Sequence, residues 1–208
     1  NYIYKGPVLE WYMRIKTRID RELHERIHAL VPRSGSVVDL GCGYGQMTLL
    51  LHLSGPDRQV LGVDHDAEKV AVASNCFSRG PGLAYATVDL DTYEPPIADA
   101  YLFKDVLHYL EPEAQRRLLS ACAERMSPDG RIIVRDGFTG DEQLHKRTLA
   151  TEFWSINIGF NKAKTELHFM PRSFIDEVAR EAGLVVEEVM TERSTSNQLL
   201  VLRRPSRS

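Results

Sequence analysis

The stretch Val37-Val38-Asp39-Leu40-Gly41-Cys42-Gly43-Tyr44-Gly45 constrains this chain more than any other. A short apolar run ends in an acid and then opens into alternating glycines. That is the pattern of a buried strand turning abruptly into a helix. Gly41, Gly43 and Gly45 carry no Cβ, so φ can turn positive and backbone N–H groups can come close to a ligand. The helix N-terminus that follows favours a negative group, a carboxylate or a phosphate. An ordinary strand-turn-helix connection is the plain alternative.

Spacing separates the function classes that use such a turn. The dinucleotide-binding fingerprint is G-x-G-x-x-G, with its third glycine packing the helix on the strand. Here that position is Gln46, and the chain reads G-x-G-x-G after Val37-Val38-Asp39-Leu40. This resembles the first motif of the class I S-adenosylmethionine (SAM)-dependent methyltransferases: a hydrophobic pair, Asp, a hydrophobic residue, then G-x-G-x-G. The cofactor that the resemblance implies, SAM, carries a methionine carboxylate and no pyrophosphate.

A length of 208 residues with 43% hydrophobic and 26% charged residues suits one larger domain with a substantial core. The net charge of -3 gives no electrostatic case for a general nucleic-acid binder. Cys42, Cys76 and Cys122 form no C-x-x-C pair, which argues against a zinc site or a disulfide framework, so no metal is expected and the compartment should be reducing, that is, cytoplasmic. No run approaches the ~18 apolar residues of a membrane span, and no signal peptide is evident. The first residue, Asn1, is not methionine, which reads as a processed product or a segment of a larger protein.

From 8 to 30, Leu9, Trp11, Tyr12, Ile15, Ile19, Leu23, Ile27 and Leu30 recur at three- and four-residue steps. That spacing predicts one long amphipathic helix, a helical extension over 1–33 that covers the sheet or also lids the site. Strands are then expected over 36–40, 59–64, 83–88, 100–104 and 131–135, with helices over 46–53, 67–77 and 112–125 between them. Such alternation implies an α/β, Rossmann-like, doubly wound and mostly parallel sheet. After a helix over 171–182, strands over 184–190 and 198–202 are joined by a polar turn and should pair antiparallel. This is similar to the seven-stranded methyltransferase sheet with its terminal hairpin, so the methyltransferase domain is expected over 34–208. An insert over 138–170, rich in aromatics, is expected to form a substrate wall.

Ligands of open α/β sheets bind outside the carboxyl ends of the strands. Asp64 ends the second strand, where a carboxylate can accept from two ribose hydroxyls; NAD and SAM sites share this role. His65 and Asp66 compete with it and read better as helix-start residues. In the resembling family an acid after the third strand takes the adenine amino group, which implies Asp89 with Leu90 over the ring; capping of the next turn is the alternative. Phe103-Lys104-Asp105-Val106-Leu107-His108-Tyr109 looks like the family's fourth motif, and the match puts Lys104 near the methionine moiety. Asp39 is implied to hold the glycine loop and, often through water, the methionine amino group. Cys42 reads as a small packing residue within that loop. Met126-Ser127-Pro128-Asp129-Gly130 resembles the family's L-x-P-G-G turn into strand five.

SAM-dependent transfer is an in-line displacement that needs positioning, and a base only where the acceptor must lose a proton. The fourth motif is not the Asp/Asn-Pro-Pro-aromatic of amino-methylating DNA and RNA enzymes. No basic tract interleaved with aromatics suits single-stranded nucleic acid either. A small-molecule or lipid-like acceptor, hydrophobic or aromatic, is the expected partner. Its wall should draw on Tyr2, Tyr4, Trp11, Tyr12, His108, Tyr109, His145, Trp154 and His168. His108 and His168 are the catalytic candidates, with Asp136 behind them; His108 also reads as a helix-facing histidine bonded to backbone. The opening Tyr4-Lys5-Gly6-Pro7-Val8-Leu9-Glu10-Trp11-Tyr12 loosely resembles methyltransferase segments beside acyltransferases in bacterial polyene-pigment or lipid pathways. The competing functions are an NAD(P)-dependent oxidoreductase and a non-catalytic SAM-binding domain.

Overall fold

Near-continuous burial along the central strands β1, β4 and β7 requires a sheet covered on both faces. In the computed structural model, which describes residues 7–55, 57–76, 80–139, 167–192 and 196–205, the strands are β1 (Gly35–Leu40), β2 (Arg58–Asp64), β3 (Leu83–Thr87), β4 (Ala98–Lys104), β5 (Met126–Gly137), β6 (Val185–Thr191) and β7 (Asn197–Arg203). They form one sheet in the order β3-β2-β1-β4-β5-β7-β6. The first five run parallel, and β7 enters antiparallel between β5 and β6. Val38, Leu40, Tyr101, Phe103, Ile132 and Val134 pack on one face, under Leu118 and Leu119 of α5 (Pro112–Arg125) and Ile175 and Val178 of α6 (Arg172–Glu181). Val37, Leu102 and Ile133 pack on the other, against Leu23 and Ile27 of α2 (Arg21–Leu30) and Met47 and Leu51 of α3 (Gln46–Leu53). The remaining helices are α1 (Pro7–Ile19) and α4 (Ala67–Ser74). None of the helices among the described residues is long and apolar enough to cross a membrane.

The expected doubly wound sheet with its terminal hairpin is present, and two local expectations need correction. The single N-terminal helix is two, interrupted at Asp20, whose ψ of 13° leaves the helical region. Leu23 and Ile27 reach the core from α2, whereas α1 turns Glu10 and Met13 inward and leaves Trp11 and Ile19 exposed at 66% and 76%. The apolar spacing across 8–30 therefore joined faces of two helices. The second correction concerns 126–130, which extends β5 rather than turning into it, with an irregularity opposite Ala98 and Ala100. Pro128 lacks a donor and is tolerated at such an irregular place, and Arg204 Nη1 donates to the carbonyls of Met126 and Ser127. Tyr2, Tyr4, the Tyr12 side chain and His145, Phe153, Trp154 and Phe160 of the insert lie outside the described residues.

One buried cation fastens the helices to the sheet at the end away from the glycine turn. Arg58, 1% exposed, donates from Nε to the carbonyl of Pro32 at 2.6 Å, from Nη1 to Leu51 at 2.9 Å and from Nη2 to Val31 at 3.3 Å. These carbonyls close α2 and α3, where helix ends leave acceptors unpaired. Arg58→Met keeps the length and removes the donors, so it should cost about 2–4 kcal/mol. Urea denaturation checks this; a loss below ~1 kcal/mol would show that water replaces the guanidinium.

Candidate functional site

The glycine turn is built by crowding on two sides and openness on a third. Gly41 and Gly45 hold φ of 76° and 74°; a Cβ at Gly41 would meet Val106 at 2.3 Å, and one at Gly45 the Tyr85 ring at 2.5 Å. At Gly43 a Cβ would meet nothing within 4 Å. The turn borrows its hydrogen bonds from the tip of β2. Gly41 and Cys42 N–H donate to the Val63 carbonyl at 2.8 and 2.9 Å, and Gly43 N–H donates to Asp64 Oδ2 at 2.7 Å. Asp64 Oδ1 accepts from Asp66 N–H at 2.9 Å, with the exposed His65 ring 3.4 Å away, while Asp66 caps α4 through the N–H groups of Glu68 and Lys69.

Above this turn lies a cavity of about 140 Å³, walled by Asp39, Gly41, Cys42 and Gly43, by Lys104 and Asp105 at the tip of β4, and by Met13, Lys16 and His24 of the N-terminal helices. Gln46 sets its roof: its Nε2 donates to the Met13 carbonyl at 3.3 Å and contacts Thr17 Oγ1. The residue in the third-glycine position thus anchors α1 instead of packing helix on strand. Burial raises the Asp39 carboxyl to about 6, opposed by the hydrogen bond from Thr48 Oγ1 at 2.6 Å and by Lys104. Burial, then Lys16 and Arg135, lowers Lys104 to about 8 against the pull of Asp20, 3.5 Å away. Burial drives the Cys42 thiol far above its ordinary range, with Asp39 and Asp64 adding to it, so Cys42 is inert packing.

A second constellation sits at the adjoining tips of β4 and β5. His108 Nδ1 lies 2.5 Å from Asp136 Oδ1; the ring is 2% exposed and stacks on Phe169 at 4.6 Å. Asp136 also accepts from Leu107 N–H at 3.0 Å and Gly137 N–H at 2.8 Å, which fixes both its oxygens. The His108 ring is therefore oriented by a carboxylate, not by backbone. His168 meets this turn through its main chain, its N–H donating to the His108 carbonyl at 2.8 Å, while its Nε2 lies 3.3 Å from Glu111.

Of the residues singled out from sequence, Asp39, Gly41, Cys42, Gly43 and Lys104 line one cavity, and Asp64 holds its floor from beneath. His65, Asp89, Leu90, His108 and His168 do not line it. Asp89 is exposed and its Oδ1 accepts from Asp91 N–H at 3.0 Å, while Leu90 is buried in the core. Sequence reasoning did not single out Tyr44, Gln46, Met47, Lys69 and Asp105 for this cavity, nor Met13, Lys16 and His24, the last three because the break at Asp20 hides which helix faces turn inward.

Burial and Lys104 lower His24 to about 4, so between pH 6.5 and 4 the unfolded chain takes up a proton that the folded chain refuses. That part of the stability is present above pH 6.5 and lost as pH falls through 4. Asp39 works in the opposite sense, since burial lets its folded carboxyl keep its proton up to about 6, against an ordinary value of 3.8. His24→Gln removes only the first effect. Its urea midpoint should therefore fall less than that of the unaltered chain between pH ~7 and ~4.5; equal falls would mean that His24 is protonated in the fold.

With this geometry in place, comparison with known proteins is informative. Residues 37–130 match a family model described as "Methyltransferase domain". A trans-aconitate 2-methyltransferase of Methylobacterium radiotolerans is 30% identical over 176 residues, covering 82% of this chain and 65% of that protein. The chain spans about half the length of other trans-aconitate 2-methyltransferases that it matches. The structure of the mitomycin 7-O-methyltransferase MmcR superposes with a TM-score of 0.68 at 21% identity, covering 94% of this chain and 57% of that one. The magnesium protoporphyrin IX methyltransferase of Synechocystis PCC 6803 does so at 0.66 and 18% identity, covering 97% and 89%. The glycine turn, the acids at the strand tips, the sheet order and the matched stretch agree: residues 37–130 are similar to a methyltransferase domain, and the sheet that carries them has the fold of methyltransferase structures.

Proposed function

We propose that this chain transfers a methyl group from SAM to a small acceptor with an ionisable O–H or N–H, with His108 as the base. The observation that carries this reading is the His108–Asp136 pair at 2.5 Å, beside the tip of β4 that walls the donor cavity. A carboxylate on Nδ1 fixes the tautomer and stabilises the imidazolium formed when Nε2 takes a proton. Asp136 is held by two backbone N–H groups and serves as the orienting group rather than the base. The His168 main chain braces the turn that carries His108, and its ring remains the second candidate for contact with the acceptor.

The donor cavity fits SAM on its own chemistry. Gly43 leaves room where a side chain would intrude, and Asp64 keeps carboxylate lone pairs for ribose hydroxyls while holding the loop. Lys104 and Lys16 supply positive charge for the methionine carboxylate, and Asp39 the acid on the ammonium side. Bound SAM supplies an electrophilic methyl group on a sulfonium. The α1–α2 extension over 1–33 acts as a lid, because Met13, Lys16 and His24 wall the cavity from the N-terminal helices. For the acceptor we favour a hydrophobic or aromatic small molecule, walled by the 138–170 insert and Phe169, which stacks on His108. Two relatives are named for small-molecule acceptors, trans-aconitate and phenazine-1-carboxylate. Free Cys42, Cys76 and Cys122 suit a reducing, cytoplasmic setting.

Two variants test the two halves separately. Asp64→Ala should weaken S-adenosylhomocysteine (SAH) binding more than ~10-fold in calorimetric titration, with the fold intact by circular dichroism. His108→Gln should keep that affinity and lose about 10²–10⁴ in kcat once an acceptor is in hand. Full turnover by His108→Gln would leave the transfer dependent on positioning alone.

A further inference from the structure

One side chain of the core grips the turn that carries His108. Gln115, near the start of α5 and 1% exposed, donates from Nε2 to three carbonyls. They are those of Leu107 at 3.0 Å, Leu110 at 2.9 Å and His168 at 2.8 Å. An amide nitrogen has two N–H bonds, so the three acceptors share them. A leucine or methionine at this position would bury no polar group and need no partner. The amide instead meets carbonyls that the short helical turn Leu107–Tyr109 and the segment returning at His168 bring inside the fold, where acceptors require donors.

The bonds of Gln115 converge on the His108 ring by two routes. Leu107 is held at both its main-chain groups: its N–H donates to Asp136 Oδ2 at 3.0 Å and its carbonyl accepts from Gln115. The other oxygen of Asp136 lies 2.5 Å from His108 Nδ1. His168 is committed in the same way, with its N–H on the His108 carbonyl at 2.8 Å and its carbonyl on Gln115. The next residue, Phe169, stacks on the His108 ring with the planes 10° apart. One route thus runs through Leu107 and Asp136, the other through His168 and Phe169.

We propose that Gln115 is a positioning residue for methyl transfer: its amide locks the turn bearing His108 to the segment bearing His168 and Phe169, and so keeps the imidazole on Asp136. The inference rests on His108 being the base. It adds a part for α5, whose buried amide sets the register in which 107–110 and 168–169 meet. A misplacement of about 1 Å can cost as much as about 10²-fold in rate. A residue that fixes the ring from behind therefore acts on turnover and leaves donor binding alone.

Gln115→Met keeps the length and removes both donors. The Kd for SAH should stay within about twofold in calorimetric titration, since Gln115 does not line the donor cavity. With an acceptor in hand, kcat should fall about 10–100-fold. The readout that a purely structural role would not move is the His108 Nδ1 proton in the folded protein, identified in NMR spectra by its absence from His108→Gln. In Gln115→Met it should move upfield or be lost to exchange with water. An unmoved signal in a folded variant overturns the proposal. Gln115→Glu is the second variant: burial favours its neutral carboxyl, which offers one O–H in place of two N–H bonds. Its effects should have the same sign and be smaller. Failure of both variants to fold would make Gln115 structural alone and overturn positioning. The base reading fails separately: a displaced Nδ1 proton in Gln115→Met, together with full turnover by His108→Gln, would leave the amide holding the ring and remove the ring from the transfer.

Discussion

The chain must leave a fully buried strand, β1, and enter a helix within the five residues from Gly41 to Gly45, and the rest of the site depends on how it does so. There is no room for side chains at either end of this turn, with Val106 on one side and Tyr85 on the other. Its N–H groups are satisfied from outside, by the Val63 carbonyl and the Asp64 carboxylate. The parallel register that sets Leu40 beside Val63 therefore also fixes the shape of the ligand loop. Sheet pairing and loop conformation are one constraint here, and Asp64 belongs to both: it ends a strand and holds a loop.

Charge is the second organising feature, and it links elements that share no core. Lys104 at the tip of β4 faces Asp20 in the break between α1 and α2, so the N-terminal helices are drawn over the site by an ion pair as well as by Gln46. Arg135 carries the linkage to Glu192 beyond β6. Side-chain exposure in this chain of alternating charges stays between 12% and 24%. In such surroundings interactions are stronger than at the surface, and breaking one partner leaves the next uncompensated.

The fold was legible because its signals are local and periodic: apolar runs on the strands, helices between them, glycines at the tight turn. Boundaries such as those of α3 and β2 follow from that pattern to within a residue. The N-terminal helices were less legible. Trp11, Ile15 and Ile19 continue the apolar spacing of Leu23 and Ile27, and nothing local marks Asp20 as a break. The helix faces are set by Met13 and Gln46 meeting across 33 residues of sequence, a tertiary contact that no periodicity encodes. The strand-tip part of the cavity, Asp39, Gly41, Cys42, Gly43 and Lys104, was legible, since strand ends point to one place in open α/β sheets. Asp105 and Arg135 were not, because the first matters through a positive φ and the second through the register of β4 on β5.

The two halves of the site are built on different parts of the sheet, and this accounts for what the sequence conveys about each. The cavity proposed for the donor uses the tips of β1, β2 and β4, whose spacing is tied to the glycine turn. The acceptor half begins where Asp136 on β5 orients His108 and where 167–171 returns against that turn through His168 and Phe169. Only Asp136, which orients the His108 ring, lies on a strand; the surface around that ring comes from connections, which vary without disturbing sheet register. A buried, carboxylate-held imidazole therefore sits at the boundary between a constrained half and a variable one.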